Sequence, residues 1–597
     1  MRLTVQVVLF LFAIDGFAFA SIVLPGNKLE SSPSPYLAMH GKDTVKWQTW
    51  SPETFDLAKR SGRLLFVSVG YYACHWCHVM HRESYENPQI AAYLNAHFIP
   101  VKVDRELNTG LDDELQRFAA NVIHQGGWPL NAFVTPEGYL LSVVLYQRPE
   151  DFLKTLNRIE GRWSNEAEKL ASLARAAVPH PPRLSIAQYD QTEREALLKS
   201  FLDSVQVEAD PLLGGFGEVS KFPHVPQLNL LLTIQTKLPD PKSEAWLRLS
   251  LNSIADRALR DHIYGGFFRY TTDPGWSVPH FEKMLYDNTQ LAVLYLRAAE
   301  VFNEPRYQDV ARTTLDFMLT VLHDSSSGGF YSSTSAVDNQ GREGAAYLWS
   351  DESLKAVLSP EELKVARKVW QLDHSPFDTG DHLPADYEQV KGDEREVISN
   401  SYRKLRAARP NIDVPVDKKM LTGLNGMALS AFSRAAGLDD RYRKAAIESY
   451  QFLASQWRNG RLRKGQFGNQ ILPDAELEDY AYGARGLLDF AKAFKNQRAE
   501  SLARQWAKQG WKIFSGLSGW KRDKASLLKS TQPGAVLEDG VIPSPSAVLI
   551  AVSLRLNNPE LAKKAQRALG WRSEAMQRDP FAYPGQIGLL NGRFNLD

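Results

Sequence analysis

A chain of 597 residues is too long for a single hydrophobic core, so we expect it to fold as two or more domains. Its composition, 44% hydrophobic and 23% charged, is that of a globular protein, and a formal net charge of +1 argues against nucleic-acid binding. It has two cysteines, three positions apart. A bridge between them would close almost no loop, which favours chemistry over structural crosslinking.

The first twenty residues have the pattern of an export signal. Arg2 precedes an apolar run from Val5 to Ile14, and Ala18-Phe19-Ala20 fits the small-x-small rule of cleavage sites. A buried amino-terminal strand or helix is the alternative. The run is too short for a stable membrane span, and no later span follows. We therefore expect a signal peptide over 1–20 and a periplasmic or secreted mature protein.

Residues from about 50 to 150 alternate β-rich and helical stretches. The motif Cys74-His75-Trp76-Cys77 stands between a β-rich run and a helical one, and Thr135-Pro136-Glu137-Gly138 is a turn that joins the last two runs. The β-rich runs lie at 64–69, 98–103, 131–134 and 139–145. This order predicts a mixed sheet covered by helices, in a thioredoxin-like α/β domain over 21–178.

The proline-rich stretch Val178-Pro179-His180-Pro181-Pro182 is the best candidate for a domain boundary. From 186 to 597 helical periodicity dominates, and strand signals are few and short. The predicted helical segments are 190–206, 226–238, 243–262, 283–303, 306–323, 423–437, 440–458, 475–495, 499–515 and 557–569. The second domain is therefore expected to be all-α.

A Gly-Gly-Phe triplet recurs three times in this second part. It begins at Gly214, Gly265 and Gly328, and each copy follows a helical segment and opens an aromatic-rich loop. Each glycine pair can end a helix in a left-handed cap. One alternative is that the triplets are unrelated caps. The regular recurrence instead favours stacked helix hairpins in an α/α toroid with a cleft at its rim.

The CxxC motif predicts a redox site. At the start of a helix, Cys74 would gain from free N–H groups and the helix dipole, which favour a thiolate. We assign Cys74 as the attacking thiolate and Cys77 as the resolving thiol, reachable by the thiols or disulfides of other proteins. A proline before the third strand, expected to be cis, would leave the preceding backbone free to pair with an extended substrate. The supporting residues are His75, Trp76, His78, Trp128 and Pro129, and the two histidines can add positive charge when protonated.

Three alternatives remain for the motif. With His78 it also spells the attachment site of a c-type haem. Cys74, Cys77, His78 and His81 could bind zinc if tight bends gathered them. The pair could also be an inert local disulfide. The redox interpretation, which we prefer, needs no metal and no cofactor.

The densest candidate in the second domain runs from Arg269 to Asp287. Aromatic rings there can stack on sugars, and a glycosidase needs two carboxyl groups that flank the scissile bond. The alternative is structural: His280 and Glu282 would cap the next helix, and Asp287 would pair with an arginine. The cleft candidates are Arg269, Tyr270, Trp276, His280, Glu282, Asp287, Glu478 and Asp479.

Several motifs together resemble one known family over nearly the whole chain. They are Cys74-His75-Trp76-Cys77-His78-Val79-Met80, Glu83-Ser84-Tyr85, Val101 to Glu106, Lys221-Phe222-Pro223 and the long segment from Trp276 to Asn288. The pattern is similar to that of the thioredoxin-domain family whose animal member is spermatogenesis-associated protein twenty. The resemblance implies a thioredoxin-like domain followed by an (α/α)₆ toroid of the six-hairpin glycosidase type.

The chain departs from the family pattern at the rim. Where the family reads Asp-Ala-Asp-Ser, this chain has Ser335-Ala336-Val337-Asp338, so two carboxylates are replaced. Leu424 stands in place of a family tryptophan, and Pro543-Ser544-Pro545-Ser546 replaces Pro-Ser-Gly-Asn. If those groups act on sugar in relatives, the toroid of this chain is altered there.

Two main functions follow. The first is a thiol–disulfide oxidoreductase whose toroid serves as a substrate or partner module. The second is a carbohydrate-processing or carbohydrate-binding protein, of glycosidase or sugar-epimerase type, with a glycan in the helical cleft and the thioredoxin-like domain as scaffold. A non-catalytic interaction protein is the third possibility. Fold analogy alone does not decide between them.

Overall fold

We describe a computed structural model of the chain. The structure describes residues 24–592 except 179–187, 388–389, 391, 410, 412 and 531. The predicted signal peptide and most of the proline-rich boundary therefore lie outside the described residues. Within the described part of the chain, no helix combines the length and the apolar character that crossing a bilayer requires.

The first domain is built on a four-stranded mixed sheet in the order β2-β1-β3-β4. Its strands are β1 (Leu65–Gly70), β2 (Ile99–Asp104), β3 (Leu130–Val134) and β4 (Leu140–Val144). β1 runs parallel to β2 and antiparallel to β3, and β3 and β4 form the predicted hairpin. Every residue of β1, β2 and β3 is buried, because the sheet has helices on it and the second domain beside it. The predicted β-rich runs are confirmed to within one residue at each end.

In the part of the chain that the structure describes, six helices belong to this domain. They are α1 (Pro35–Met39), α2 (Pro52–Ser61), α3 (His75–Met80), α4 (Pro88–His97), α5 (Thr109–Ile123) and α6 (Pro149–Ala176). One π-helical turn, His81–Tyr85, continues α3. Helix α6 is not among the sequence predictions. It packs on the sheet through a narrow stripe that includes Phe152, Leu156 and Trp163, and the rest of its surface is mostly polar.

The second domain is mostly helical, and each of the ten predicted segments contains a helix, although the one predicted over 243–262 ends at Asp256. Its helices are α7 (Gln191–Glu208), α8 (Val225–Lys237), α9 (Pro241–Asp256), α10 (Leu285–Phe302), α11 (Pro305–Phe317), α12 (Asp351–Val357), α13 (Pro360–Val369), α14 (Glu394–Ala408), α15 (Thr422–Ala435), α16 (Asp440–Gln456), α17 (Leu477–Phe494), α18 (Gln497–Phe514), α19 (Pro545–Arg555), α20 (Pro559–Leu569), α21 (Glu574–Arg578) and α22 (Pro584–Leu590). A π-helical turn, Met318–Leu322, extends α11, and a 3₁₀ turn, Pro580–Ala582, precedes α22.

Short strands connect the helices at the ends of the domain. They are β5 (Lys283–Met284), β6 (Ser333–Thr334), β7 (Val416–Asp417), β8 (Lys419–Leu421), β9 (Trp457–Arg458), β10 (Arg461–Leu462), β11 (Gly465–Phe467), β12 (Gln470–Ile471), β13 (Ser515–Gly516) and β14 (Gly519–Trp520). β5, β6 and β7 form one small sheet, and β8 pairs with β11 in another.

The helices of the second domain form a closed double ring. In the described residues α8, α10, α15, α17, α19 and α22 contact one another in that order, and α22 returns to α8. Each inner helix carries an outer partner: α9 on α8, α11 on α10, α16 on α15, α18 on α17, α20 on α19 and α7 on α22. Six inner helices with six outer partners make an (α/α)₆ toroid.

The sequence shows which helices belong to which ring. Inner helices such as α15 and α19 are buried on nearly every side, so they contain few charges and lack a polar stripe. Outer helices such as α18 and α20 bury one face and present charged residues on the other. Helix α19 is absent from the sequence predictions because an apolar run without periodicity does not distinguish a buried helix from a strand.

The three Gly-Gly-Phe loops are equivalent, but their glycines do not cap helices as predicted. The preceding helical segments end several residues earlier, and each glycine pair closes a short hairpin in which the phenylalanine bridges back across the turn. Gly214, Gly265 and Gly328 have φ between 70° and 79°. A Cβ at these positions would come within 2.7 Å of the backbone of the outer helices α9, α11 and α16. Only glycine satisfies both constraints.

An asparagine of the neighbouring inner helix holds two of these hairpins. The Asn288 side chain accepts the Phe267 N–H at 2.7 Å and donates to the carbonyls of Phe267 at 3.1 Å and Met284 at 2.8 Å. Asn425 makes the same set of bonds: its side chain bonds the N–H and the carbonyl of Phe330, and it donates to the carbonyl of Leu421, four residues before Asn425. These amides attach the loops to the inner ring.

We predict that Asn288→Ala lowers the free energy of unfolding by about 3 kcal/mol, because it leaves the buried N–H and C=O of Phe267 without partners. The change is measured by chemical denaturation against Asn165→Ala, which removes an exposed amide in α6. Equal denaturation midpoints for the two variants would show that the Asn288 hydrogen bonds contribute nothing to stability.

Candidate functional site

The two cysteines form a disulfide at the start of α3. Cys74 is the N-cap of this helix, and its Sγ accepts a hydrogen bond from the backbone N–H of Cys77 at 3.1 Å. The free N–H groups and the dipole of a helix N-terminus favour negative charge. Cys74 is therefore the sulfur that the fold stabilises as a thiolate once the bond is reduced.

A cis peptide bond joins Trp128 to Pro129, as the sequence predicts. It directly precedes β3, whose Leu130 pairs with Val69 in β1. The turn therefore lies beside the end of the strand that leads into the CxxC segment. The rings of Trp128 and Tyr71 meet edge-on with their centroids 5.6 Å apart.

The toroid covers the sulfur pair. Cys74 is 4% exposed and Cys77 is 2% exposed, and both belong to a core cluster that includes Met284 of the toroid. The backbone N–H of Ala336 donates to the carbonyl of Ala73, directly before the first cysteine, at 3.4 Å. The expectation that other proteins can reach the sulfurs is wrong for this arrangement of the domains.

The toroid segment 335–344, which covers the disulfide, places a carboxylate between two histidines. Glu343 is 3.0 Å from Nδ1 of His280 and 3.4 Å from Nε2 of His75. Burial alone would lower the pKa of His280, but its hydrogen bond to the Glu343 carboxylate and the charge of Glu282 raise it overall. His280 and Glu282 do not cap α10, whose N-cap is Met284.

The histidines of the motif do not supply the predicted positive charge. Burial lowers the pKa of His78 to about 4, and its Nε2 is 2.8 Å from the carbonyl of Tyr72. Burial also lowers the pKa of His75, although Glu343 opposes the shift. Trp76, 43% exposed, lies against Tyr146 on the outer surface. Thiolate stabilisation at Cys74 therefore depends on the helix N-terminus.

The four residues of the zinc alternative do not converge. The two cysteines are bonded to each other, whereas His81 turns away to Asp43, with Nε2 at 2.8 Å from a carboxylate oxygen. Asp43 also binds His40 at 2.9 Å and the Trp47 indole N–H at 2.8 Å. His40, Asp43 and His81 could surround a cation, but in this structure the Asp43 carboxylate is hydrogen-bonded to both imidazole rings.

A buried lysine joins the domains. The Lys419 ammonium contacts Asp104 and Glu106 of the first domain, the latter at 2.8 Å, and Asp417 of its own domain at 3.2 Å. All four side chains are almost fully buried. Burial raises the pKa of Asp417 to about 7, and Lys419 opposes that shift. One cation thus holds three carboxylates at the interface.

A second contact between the domains lies at the start of α5. Glu476 accepts hydrogen bonds from the N–H and the hydroxyl of Thr109, and it also binds Lys464 at 2.7 Å. Lys464 pairs with Glu478 at 2.9 Å and Asp479 at 3.4 Å. Burial raises the pKa of Asp479 to about 7, with Lys464 acting in the opposite direction.

Between these contacts the domains enclose a cavity of about 450 Å³ at the mouth of the toroid. Of the residues predicted from the sequence, Trp128, Arg269, Glu478 and Asp479 line it. Sequence reasoning missed Arg105, Asp112, Tyr286, Tyr482 and Arg522, which also line it. Arg105 and Tyr286 fall within the quoted family motifs, so motif membership was the available signal.

The remaining cleft candidates lie behind the cavity wall. Trp276 is fully buried, its indole N–H bonds the Leu213 carbonyl, and it packs against Gly215, so it is a core residue and not a sugar platform. Tyr270 stacks on Phe222 with ring centroids 4.5 Å apart. The expectation that Trp276 faces a cleft is wrong.

Glu282 and Asp287 occupy the layer behind Arg269. Oε1 of Glu282 accepts the Tyr71 hydroxyl at 2.9 Å and the Arg269 guanidinium at 3.1 Å, which makes it a charge partner between the domains. Burial raises the pKa of Asp287 well above its usual range, Arg269 opposes the shift and Glu282 adds to it. Neither carboxyl group lines the cavity with Glu478 and Asp479, so Glu282 and Asp287 do not supply one of the two flanking carboxyl groups of a glycosidase there.

Two of the altered family positions lie in the segment that contacts the CxxC region. Ser335 and Val337 are buried on either side of Ala336, whose backbone N–H donates to the Ala73 carbonyl. Neither residue lines the mouth cavity. Leu424 and Pro545, in contrast, do line that cavity.

The fold and the site define a class of protein in which a thioredoxin-like domain closes the mouth of an (α/α)₆ toroid. A family model, Thioredox_DsbH, described as "Protein of unknown function, DUF255", matches residues 26–180. Spermatogenesis-associated protein 20 of Mus musculus is 30% identical over 644 residues, covering 95% of this chain and 80% of the mouse protein. The protein of the same name from Homo sapiens is 29% identical over 640 residues, covering 95% and 81%. The chain belongs to the family of spermatogenesis-associated protein 20.

Solved structures with similar features include two carbohydrate enzymes. A GH76 α-mannanase of Bacteroides thetaiotaomicron matches with a TM-score of 0.38 and 12% identity, over 63% of this chain and 82% of its own. A cellobiose 2-epimerase from Spirochaeta thermophila matches with a TM-score of 0.29 and 13% identity, over 63% and 96%. The helix pairs described above, and not these structural similarities, define the (α/α)₆ toroid.

We predict that Lys419→Met lowers the free energy of unfolding by about 4 kcal/mol, because it leaves three buried carboxylates at the interface without their cation. The matched control is Lys418→Met, since the neighbouring lysine is exposed. Chemical denaturation measures the free energy of unfolding of both variants. A Lys419 variant as stable as the control would contradict the role given to this cluster.

Proposed function

We propose that Cys74 and Cys77 carry out thiol–disulfide exchange. The observation that supports this is the position of Cys74 Sγ at the N-terminus of α3, within reach of the Cys77 N–H and on the segment beside the cis-proline turn. In the reduced protein the Cys74 thiolate attacks one sulfur of a substrate disulfide, and the other sulfur leaves as a thiolate. The Cys77 thiolate then attacks the Cys74 sulfur and releases the second substrate thiolate. Two electrons pass to the substrate, and the reverse sequence oxidises a dithiol.

The cover over the sulfurs makes this exchange conditional. The segment 335–344 bonds to Ala73 and places Glu343 beside His75, so a protein substrate needs this segment displaced before its sulfur can approach. Thiol–disulfide exchange requires in-line access to the attacked sulfur. The proposed activity is therefore that of a gated pair, whose substrates are thiols or disulfides of other proteins.

The mouth cavity favours a second candidate function, the binding or processing of a carbohydrate. Trp128 and Tyr482 offer aromatic surface, and Glu478 and Asp479 offer carboxyl groups in a cavity of ligand size. Burial raises the pKa of Asp479 to about 7, a value suited to proton transfer near neutral pH. In this function the thioredoxin-like domain supplies one wall of the site.

We also propose that the protein is exported, because residues 1–20 have the pattern of a signal peptide. In the periplasm or outside the cell a Cys74–Cys77 disulfide persists, whereas cytosolic thiol systems keep such pairs reduced.

We predict that Cys74→Ser lowers catalysed reduction of insulin disulfides by dithiothreitol at least about 100-fold, to the uncatalysed rate, because the attacking sulfur is gone. Cys77→Ser instead accumulates mixed disulfides, since nothing resolves them. Non-reducing electrophoresis and mass spectrometry measure the trapped species. Full activity of the Cys74 variant would refute the proposal.

We predict that Glu343→Gln speeds reduction of the Cys74–Cys77 disulfide by dithiothreitol about threefold, because the cover loses its charged contacts with His75 and His280. Stopped-flow thiol titration measures the rate. Glu352→Gln is the control, since Glu352 is exposed on α12. Identical rates in the two variants would mean that Glu343 does not restrain the cover.

A further inference from the structure

The mouth cavity has the size and position of a small-molecule site. Its volume of about 450 Å³ lies within the usual range for ligand pockets, and it is formed by both domains. Gly126 of the first domain and Gly540 of the second are exposed residues of its lining, so it opens to solvent between them.

Two arginines, one from each domain, converge at one end of this cavity. The Arg105 guanidinium lies 4.1 Å from the Trp128 ring centre and the Arg269 guanidinium lies 5.0 Å from it. Both also approach the Tyr71 ring, at 4.9 Å and 5.4 Å. The cations therefore share one aromatic pair, which holds them side by side.

Three buried donors at this end of the cavity have no partner. Among the described residues, Nη1 of Arg105, Nε of Arg269 and the hydroxyl of Tyr286 are buried and make no hydrogen bond within the protein; Oε2 of Glu282 and Oδ2 of Asp287 make none either, but those carboxyl groups do not line the cavity. Arg269 and Tyr286 are each 3% exposed, and all three residues line the cavity. Buried donors without partners cost free energy, which an acceptor-rich ligand group would recover.

The nearby acids do not satisfy these donors. Glu282 is engaged with Nη1 of Arg269 and with Tyr71, and Asp112 accepts the Trp128 indole N–H at 2.8 Å while remaining 3.9 Å from Arg105. The pKa of Asp287 is raised by burial, so this carboxyl group is driven towards its neutral form. The arginine end thus keeps capacity for an additional anion.

A second group of lining residues has a different character. Glu478 is half-buried and paired with Lys464, and Asp479 lies beside it. Asp113 at the rim is paired with Arg522 at 2.7 Å. Paired carboxylates of this kind accept hydrogen bonds from hydroxyl groups and repel a second anionic group.

From this polarity we propose that the cavity binds a small hydroxylated carboxylic acid, of the size of a sugar acid, with its carboxylate at Arg105, Arg269 and Tyr286 and its hydroxyl groups towards Glu478. Guanidinium groups bind carboxylates through paired N–H donors, and Trp128 presents a face to the body of the ligand. The inference deepens the carbohydrate function and does not depend on the redox proposal.

The test is isothermal titration calorimetry of the full-length protein with glucuronate, glucose and inorganic phosphate. We expect glucuronate to bind at least tenfold more tightly than glucose, and phosphate to compete with glucuronate. Arg105→Met should weaken glucuronate at least tenfold and Tyr286→Phe about threefold. Arg60→Met, on the exposed face of α2, should leave binding unchanged. Circular dichroism establishes that each variant is folded.

Equal affinity for glucose and glucuronate would overturn the proposal, as would no binding of either, or glucuronate binding that both cavity variants leave intact. Cys74→Ser keeps the cavity residues and should bind glucuronate normally. Loss of exchange activity in that variant with glucuronate binding retained would support both proposals. A wild-type protein that catalyses exchange but does not bind glucuronate would overturn only the proposal of a sugar-acid site.

Discussion

The ammonium group of Lys419 lies among carboxylates from both domains, and the rest of the site depends on the contact it maintains. Asp104 is the last residue of β2 and Glu106 lies two residues beyond it, so the end of one strand of the sheet carries the charge that docks it on the toroid. Because these groups are buried, separating the domains would expose unpaired charges of both signs. The docked arrangement then fixes what lies over the sulfurs and what encloses the mouth cavity.

The two candidate chemistries share one interface. Tyr71 is three residues before Cys74, yet its hydroxyl binds Glu282 of the toroid and its ring supports Arg105 and Arg269. A movement of the whole toroid away from the first domain would therefore also disturb the arginine end of the cavity. The structure in this way connects the cysteine pair to the mouth cavity through a few buried contacts, although each proposed chemistry can be tested separately.

The sequence predicted secondary structure well wherever a periodic pattern was present. The runs of β1 to β4 were found because they are short, rich in β-forming residues and bounded by turn signals, and the amphipathic outer helices because a 3.6-residue repeat reports one buried face. Helix α19 was missed because burial on all sides removes the periodicity. Trp276 was misassigned for a related reason. The sequence around an aromatic residue does not distinguish a side chain that faces a ligand from one that is buried in a core.

By itself the sequence determined the CxxC motif at a strand–helix junction, the cis-proline turn and the recurrence of the Gly-Gly-Phe loops, since each depends on neighbours along the chain. Only the tertiary structure decided that the sulfurs are covered, that His78 stays uncharged and that Arg105 meets Arg269. Those properties arise from residues far apart in sequence, such as Ala73 with Ala336 or Asp104 with Lys419, and burial at an interface has no local signature.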